Sequence, residues 1–64
     1  MDTYSGATTV DVTDAEIDAA TGSTPAAKGA GYLAWLEDTT FGRVFLFGTP
    51  DGTNWYWVQM NLGQ

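Results

Sequence analysis

Val44-Phe45-Leu46-Phe47-Gly48-Thr49-Pro50-Asp51-Gly52-Thr53-Asn54-Trp55-Tyr56-Trp57-Val58 is the stretch on which the fold turns. Two aromatic and β-branched runs of strand length flank a proline that presets the first turn position and a glycine able to take the left-handed one. That chemistry suits a type I turn closed by a G1 bulge, so the stretch predicts an antiparallel hairpin with Thr49 facing Thr53. In that register Phe47 lies opposite Trp55 and Phe45 opposite Trp57 on one face. Leu46 meets Tyr56 and Val44 meets Val58 on the other. Cross-strand pairs of this kind contribute about 0.2–1 kcal/mol each, and here they leave both faces apolar.

Toward the N-terminus, Tyr32-Leu33-Ala34-Trp35-Leu36-Glu37 is a third such run, joined to the hairpin through Asp38-Thr39-Thr40-Phe41-Gly42. The expected fold is therefore mainly β, a three-stranded antiparallel meander over about residues 31–60. The first connection admits Trp35 opposite Phe45 or opposite Val44, and one residue of slip exchanges the faces. Trp35 opposite Phe45 is preferred because it gathers Leu33, Trp35, Phe45, Phe47, Trp55 and Trp57 into one ladder. The other face then carries Tyr32, Ala34, Leu36, Val44, Leu46, Tyr56 and Val58. A sheet with two apolar faces needs two covers. Its outer runs, Tyr32–Glu37 and Trp55–Met60, contain no Lys or Pro to discourage strand addition along their rims.

Residues 1–28 differ in composition, with one of the nine aromatic residues, Tyr4, and five of the eight acids. Few large apolar groups are present to build a core there. An alternating run, Thr8-Thr9-Val10-Asp11-Val12, predicts a short strand. Thr13-Asp14-Ala15-Glu16 is a capping-box pattern, in which Thr13 accepts from the Glu16 backbone while Glu16 reaches back. It leads into Ile17-Asp18-Ala19-Ala20, at most two helical turns stopped by Thr21-Gly22. Ser23 to Gly31 reads as a linker. The expected organisation is an extended N-terminal arm over 1–28, carrying the short strand and the short helix, and a small antiparallel β domain over 29–64.

Sixty-four residues with 44% apolar positions and no cysteine make one small domain without disulfides. Chains this short bury only about 60% of their unfolded surface and usually lean on a disulfide, a metal or a partner. The net charge of −6, with Lys28 and Arg43 the only basic side chains, removes the counterion-releasing contacts that nucleic-acid binding requires. It equally argues against a membrane-surface module, and no apolar run approaches the ~20 residues of a spanning helix. No hydrophobic segment follows Met1-Asp2-Thr3, so no secretory signal is expected and synthesis is placed in a cytoplasm.

Catalytic and metal chemistry is poorly provided for. Without histidine or cysteine there are no zinc, haem or iron–sulfur ligand sets of the common kinds and no His-activated nucleophile. Gly29-Ala30-Gly31 lacks the continuation of a phosphate loop. Asp11, Asp14, Glu16 and Asp18 do not match a calcium-loop spacing and read as helix N-terminal charge on a solvated face. Neither an enzymatic activity nor a cofactor is expected. The tryptophans suit sugar stacking, but aromatic residues are enriched in cores and interfaces generally. Arg43 is expected to face Gln59 across the hairpin and to pair with an acid of a neighbouring chain.

Asp51-Gly52-Thr53-Asn54-Trp55-Tyr56-Trp57-Val58 resembles the closing turn and last strand of short β units in virion structural proteins of tailed bacteriophages. Gly31-Tyr32-Leu33-Ala34-Trp35-Leu36 and Gly42-Arg43-Val44-Phe45-Leu46-Phe47-Gly48 fit the same style. The resemblance implies a capsid decoration or cement protein that binds and stabilises the shell, located in the virion. A tail, collar or fibre component is the alternative, followed by an acidic DNA mimic and a carbohydrate-binding module. Its expected partners are a major capsid protein or other virion protein and further copies of itself, with a trimer favoured. The apolar contacts expected to carry these interfaces are Trp35, Phe45, Phe47, Trp55, Trp57, Tyr56 and Leu46 of the sheet and Val10, Val12 and Ile17 of the arm.

Overall fold

The structure, a computed structural model, describes residues 1–60. The last four residues of the expected 29–64 domain lie outside them. Six elements follow one another: β1 (Asp2–Gly6), α1 (Asp14–Thr21), α2 (Pro25–Lys28), β2 (Tyr32–Asp38), β3 (Val44–Thr49) and β4 (Tyr56–Gln59). The antiparallel meander β2-β3-β4 is present, and the strands lie in sequence order in a single four-stranded sheet. Its fourth member is β1, which runs parallel to β2 with Asp2 beside Ala34 and Gly6 beside Asp38. The rim of β2, expected to be free, is thus occupied.

Placing the first strand at Thr8–Val12 is corrected to Asp2–Gly6, and the physical reason lies in where backbone groups find partners. The Thr8 N–H donates to the Asp38 carboxylate and the Thr9 N–H to Glu16, while the Thr9 and Val10 carbonyls accept from Arg43. Side chains thus satisfy a loop that would otherwise need a ladder. Strand β1 instead sets Tyr4 inward, its ring 6.0 Å from that of Phe47.

Helix α1 forms as its capping box dictates. The Thr13 hydroxyl accepts from the Glu16 N–H at 3.2 Å, and the Glu16 carboxylate accepts from the Thr13 N–H at 3.0 Å. Gly22 closes the helix, its N–H donating to the Asp18 carbonyl. The stretch read as a linker contains one further turn, α2, where Thr24 caps Ala27 and Pro25 occupies the first turn.

Both hairpin registers differ from expectation. In the first, Trp35 pairs with Leu46, Leu36 with Phe45 and Ala34 with Phe47, a slip of one residue from Trp35 opposite Phe45. The turn decides it: the Asp38 N–H donates to the Arg43 carbonyl and the Gly42 N–H to the Asp38 carbonyl, with Gly42 in the left-handed region at φ 72°. A four-residue loop, Thr39–Gly42, results. Ala34 and Leu36 therefore face inward and Leu33 and Trp35 outward. In the second hairpin Phe47 pairs with Trp57, Leu46 with Val58 and Gly48 with Tyr56, a slip of two that preserves the faces. Asp51 causes it by accepting from the N–H groups of both Thr53 and Asn54, which carries the turn past Thr53.

Val12, Ile17, Ala34, Leu36, Phe45, Phe47 and Trp55 form the core, with Tyr4, Ala20 and Tyr32 packed against it. Phe47 meets Trp55 edge-on at 5.3 Å and Phe45 meets Trp57 edge-on at 5.1 Å. Residues 1–28 thus supply a strand, the only buried helical side chain of α1 and part of the same core. The accessible surface, 3826 Å², and the radius of gyration, 11.0 Å, match what scaling gives for a single compact domain of this mass, roughly 4,000 Å² and about 11 Å.

Candidate interaction surface

Among the described residues, one face of the sheet is covered and the other is open. Strand alternation and the observed pairings place Leu33, Trp35 and Glu37 of β2, Val44, Leu46 and Gly48 of β3, and Tyr56 and Val58 of β4 on the face away from α1. Thr3 and Ser5 of β1 continue it. Leu33 is 51% exposed, Tyr56 51% and Val58 58%, while Trp35, Val44 and Leu46 are half-buried. Glu37 is the only charged residue among these positions.

The face is ridged. Trp35, Leu46 and Val58 lie in one row across β2, β3 and β4; the neighbouring row runs Leu33, Gly48, Tyr56. Glycine leaves a gap in that second row, a shallow cavity of about 320 Å³ lined by Leu33, Leu46, Gly48, Pro50, Tyr56 and Val58 among others. Position 48 cannot be filled from within, because a Cβ there would collide with the Tyr32 carbonyl oxygen. One wall is pinned: the Tyr56 hydroxyl donates to Asp51 at 2.9 Å. That bond raises the Tyr56 pKa. The Thr53 and Asn54 amides and the Tyr56 hydroxyl together hold the Asp51 carboxyl down at about 2.

Of the residues expected to make external contacts, Phe45, Phe47, Trp55, Val12 and Ile17 are buried inside the chain. Trp57 lies on the covered side, 40% exposed, its indole N–H donating to the Val12 carbonyl at 3.2 Å. Val10 is 68% exposed in the loop before α1. Only Trp35, Leu46 and Tyr56 sit together on the open face. Leu33 joins them through the corrected register, and Val44 and Val58 by the alternation already read.

Charged groups are committed elsewhere. Burial pushes the Asp38 carboxyl up, but the Thr40 amide, the Arg43 guanidinium, the Thr8 side chain and the Phe41 amide outweigh it and bring the pKa to about 2. Arg43 bonds Asp38 through Nε at 3.0 Å, and donates from Nη1 to the Val10 carbonyl and from Nη2 to the Thr8 hydroxyl and the Thr9 carbonyl. The expected pairing of Arg43 with a neighbouring chain is therefore corrected to an internal clamp. The Trp55 indole N–H donates to Asp18 at 2.6 Å, docking α1 on the sheet. Tyr32 donates to Asp2 at 2.7 Å and lies 2.7 Å from the Tyr4 hydroxyl, with Lys28 over its ring. Desolvation, the Tyr4 hydroxyl and Asp2 all raise the Tyr32 pKa, and the same Tyr32 hydroxyl lowers that of Asp2. Among the described residues no cluster of three or more potential metal ligands converges.

Comparison of the chain with protein-family models, curated proteins and solved structures gave no match.

Proposed function

We propose that the chain is a structural binding protein without catalytic activity, which attaches to a larger assembly through the open face of its sheet. The observation that carries this reading is the contrast within one sheet: a chain of net charge −6 presents a broad apolar face on which Glu37 alone is charged. Exposed apolar area grouped in one patch marks interaction surfaces on small soluble domains. The internal bonding of Asp2, Glu16, Asp18, Asp38 and Asp51 supports it further, since these acids hold the fold together and do not converge on a reacting centre. The resemblance of the Asp51–Val58 segment to phage β units supplies the address, a capsid decoration or cement protein in the virion, with a tail, collar or fibre position making the same demands on the surface.

Purified particles of the virus whose genome carries the gene, analysed by quantitative mass spectrometry, test this. The chain is expected at a fixed ratio to a shell or tail protein, and Val58→Lys is expected to reduce that ratio at least tenfold. Absence from washed particles overturns the virion assignment. Full incorporation of folded Val58→Lys overturns the open face as the attachment surface.

A further inference from the structure

We infer that the Asp51-Gly52 peptide bond is a covalent modification site, the place where this chain converts to isoaspartate, and that Thr49 and Tyr56 hold it closed in the folded state. The chemistry begins in the sequence. Asp51 is the one acid followed directly by glycine, and neither asparagine is so followed. A glycine amide has no side chain to hinder its approach to the preceding carboxyl carbon. In the reaction the Gly52 nitrogen bonds to Cγ of the protonated Asp51 side chain, and the carboxyl hydroxyl leaves with the amide proton as water. Water then reopens the five-membered imide. Opening at the main-chain carbonyl leaves the backbone running through Cβ and Cγ of Asp51 and frees an α-carboxylate. One water is lost and one regained, with no change of oxidation state.

The turn needs both residues. Gly52 sits at φ 72°, and a Cβ there would stand 3.3 Å from the Ala30 nitrogen. Asp51 sets the hairpin register through the Thr53 and Asn54 N–H groups, which donate to its Oδ1 at 2.9 and 3.1 Å. The fold therefore keeps the reactive pair and engages both reacting groups. The nucleophile is tied down: the Gly52 N–H donates to the hydroxyl oxygen of the fully buried Thr49 at 2.9 Å. The electrophile is held as well, with the two amides on Oδ1 and the Tyr56 hydroxyl on Oδ2 at 2.9 Å. Donors on both oxygens favour the ionised carboxylate, which has no hydroxyl to release, and they fix its plane. The Asp51 pKa of about 2 accords with this. Conversion then proceeds from a turn that has opened, at a rate that follows the population of the open form. Tyr56 stands on the open face, so the side chain that walls the cavity over Gly48 also guards the turn.

Peptide mapping of the full chain, incubated for weeks at about pH 5 and about 37 °C in water enriched in heavy oxygen, tests the inference. Imide hydrolysis leaves a heavy oxygen at Asp51, localised by fragmentation, and isoaspartate is resolved from aspartate by its retention. The folded chain is expected to convert at least about tenfold more slowly than the same chain unfolded in guanidinium chloride. Equal rates overturn the protection, and no label at Asp51 even in the unfolded chain overturns the site. Tyr56→Phe, at a half-exposed position, is expected to speed conversion severalfold, as loss of one hydrogen bond to a charged group does. Thr49→Val, which keeps the buried shape and frees the Gly52 N–H, is expected to do the same. Native rates in both variants overturn the two side chains as locks. Leu36→Val weakens the core away from this turn and is expected to leave the rate near the native one. Acceleration matching that of Tyr56→Phe at equal loss of stability would show that global unfolding governs the reaction, and would also overturn the locks.

Discussion

The two faces of this sheet are built from similar residue types and meet different surroundings. On the covered side Leu36, Phe45, Phe47 and Trp55 are buried against Val12 and Ile17, and indole N–H groups tie that layer to the helix side through Asp18 and Val12. On the open side Leu33, Trp35, Leu46, Tyr56 and Val58 have comparable apolar bulk and no layer of the described residues above them. Composition therefore does not distinguish the buried face from the exposed one in so small a protein. Position relative to α1 does, and hairpin register fixes that position.

The largest expected effect tests whether the covered face alone carries the fold. Phe45→Ala removes a ring that is fully buried and stacked edge-on with Trp57. Such truncations cost about 3–5 kcal/mol, comparable with the whole stability of a domain this size. The variant is expected to be largely unfolded at 25 °C by circular dichroism. A cooperative urea transition close to that of the native chain would show that the core lies elsewhere.

Much of the covered face was legible in the sequence, and the reason the rest was not is local. The capping box at Thr13–Glu16 and the stop at Gly22 could be read because each involves a handful of neighbouring residues. The meander could be read for the same reason. The β1–β2 pairing joins residues about thirty positions apart and is parallel, so no turn chemistry announces it. Register failed at the two aspartates. Asp38 and Asp51 each accept several backbone N–H groups and so set the lengths of their loops, yet as sequence symbols they are ordinary turn residues. The one-residue slip at the first hairpin is what moved Leu33 and Trp35 from the expected ladder to the open face. Gly48 gave no signal either, since the need for a bare backbone beside Tyr32 exists only once β2 and β3 are paired.

Those two aspartates give the comparison an acid-dependent test, because Asp38 clamps the loop beneath the covered face and Asp51 pins Tyr56 on the open one. Both have folded-state pKa values of about 2, below the ordinary 3.8. A depressed folded value means that the stabilisation is fully present above the unfolded pKa and is lost as pH falls through the folded one. The urea midpoint is therefore expected to be level from about pH 5 to 8, where no histidine titrates, and to fall between about pH 4 and 2. Asp51→Asn keeps an acceptor oxygen for the turn and removes one titrating carboxyl, so its midpoint is expected to fall less over that window. An unaltered acid slope in Asp51→Asn would mean that Asp51 contributes nothing to it.

The smallest effect is the most informative about the open face. Val58 is 58% exposed on β4, and threonine shares its branched shape and its preference for strands. Val58→Thr is expected to change stability by no more than about 0.5 kcal/mol, as surface substitutions generally do. A urea-unfolding loss well beyond about 0.5 kcal/mol would place Val58 within the load of the fold. The open face would then be a second half of the core, and the division between the two faces would fail.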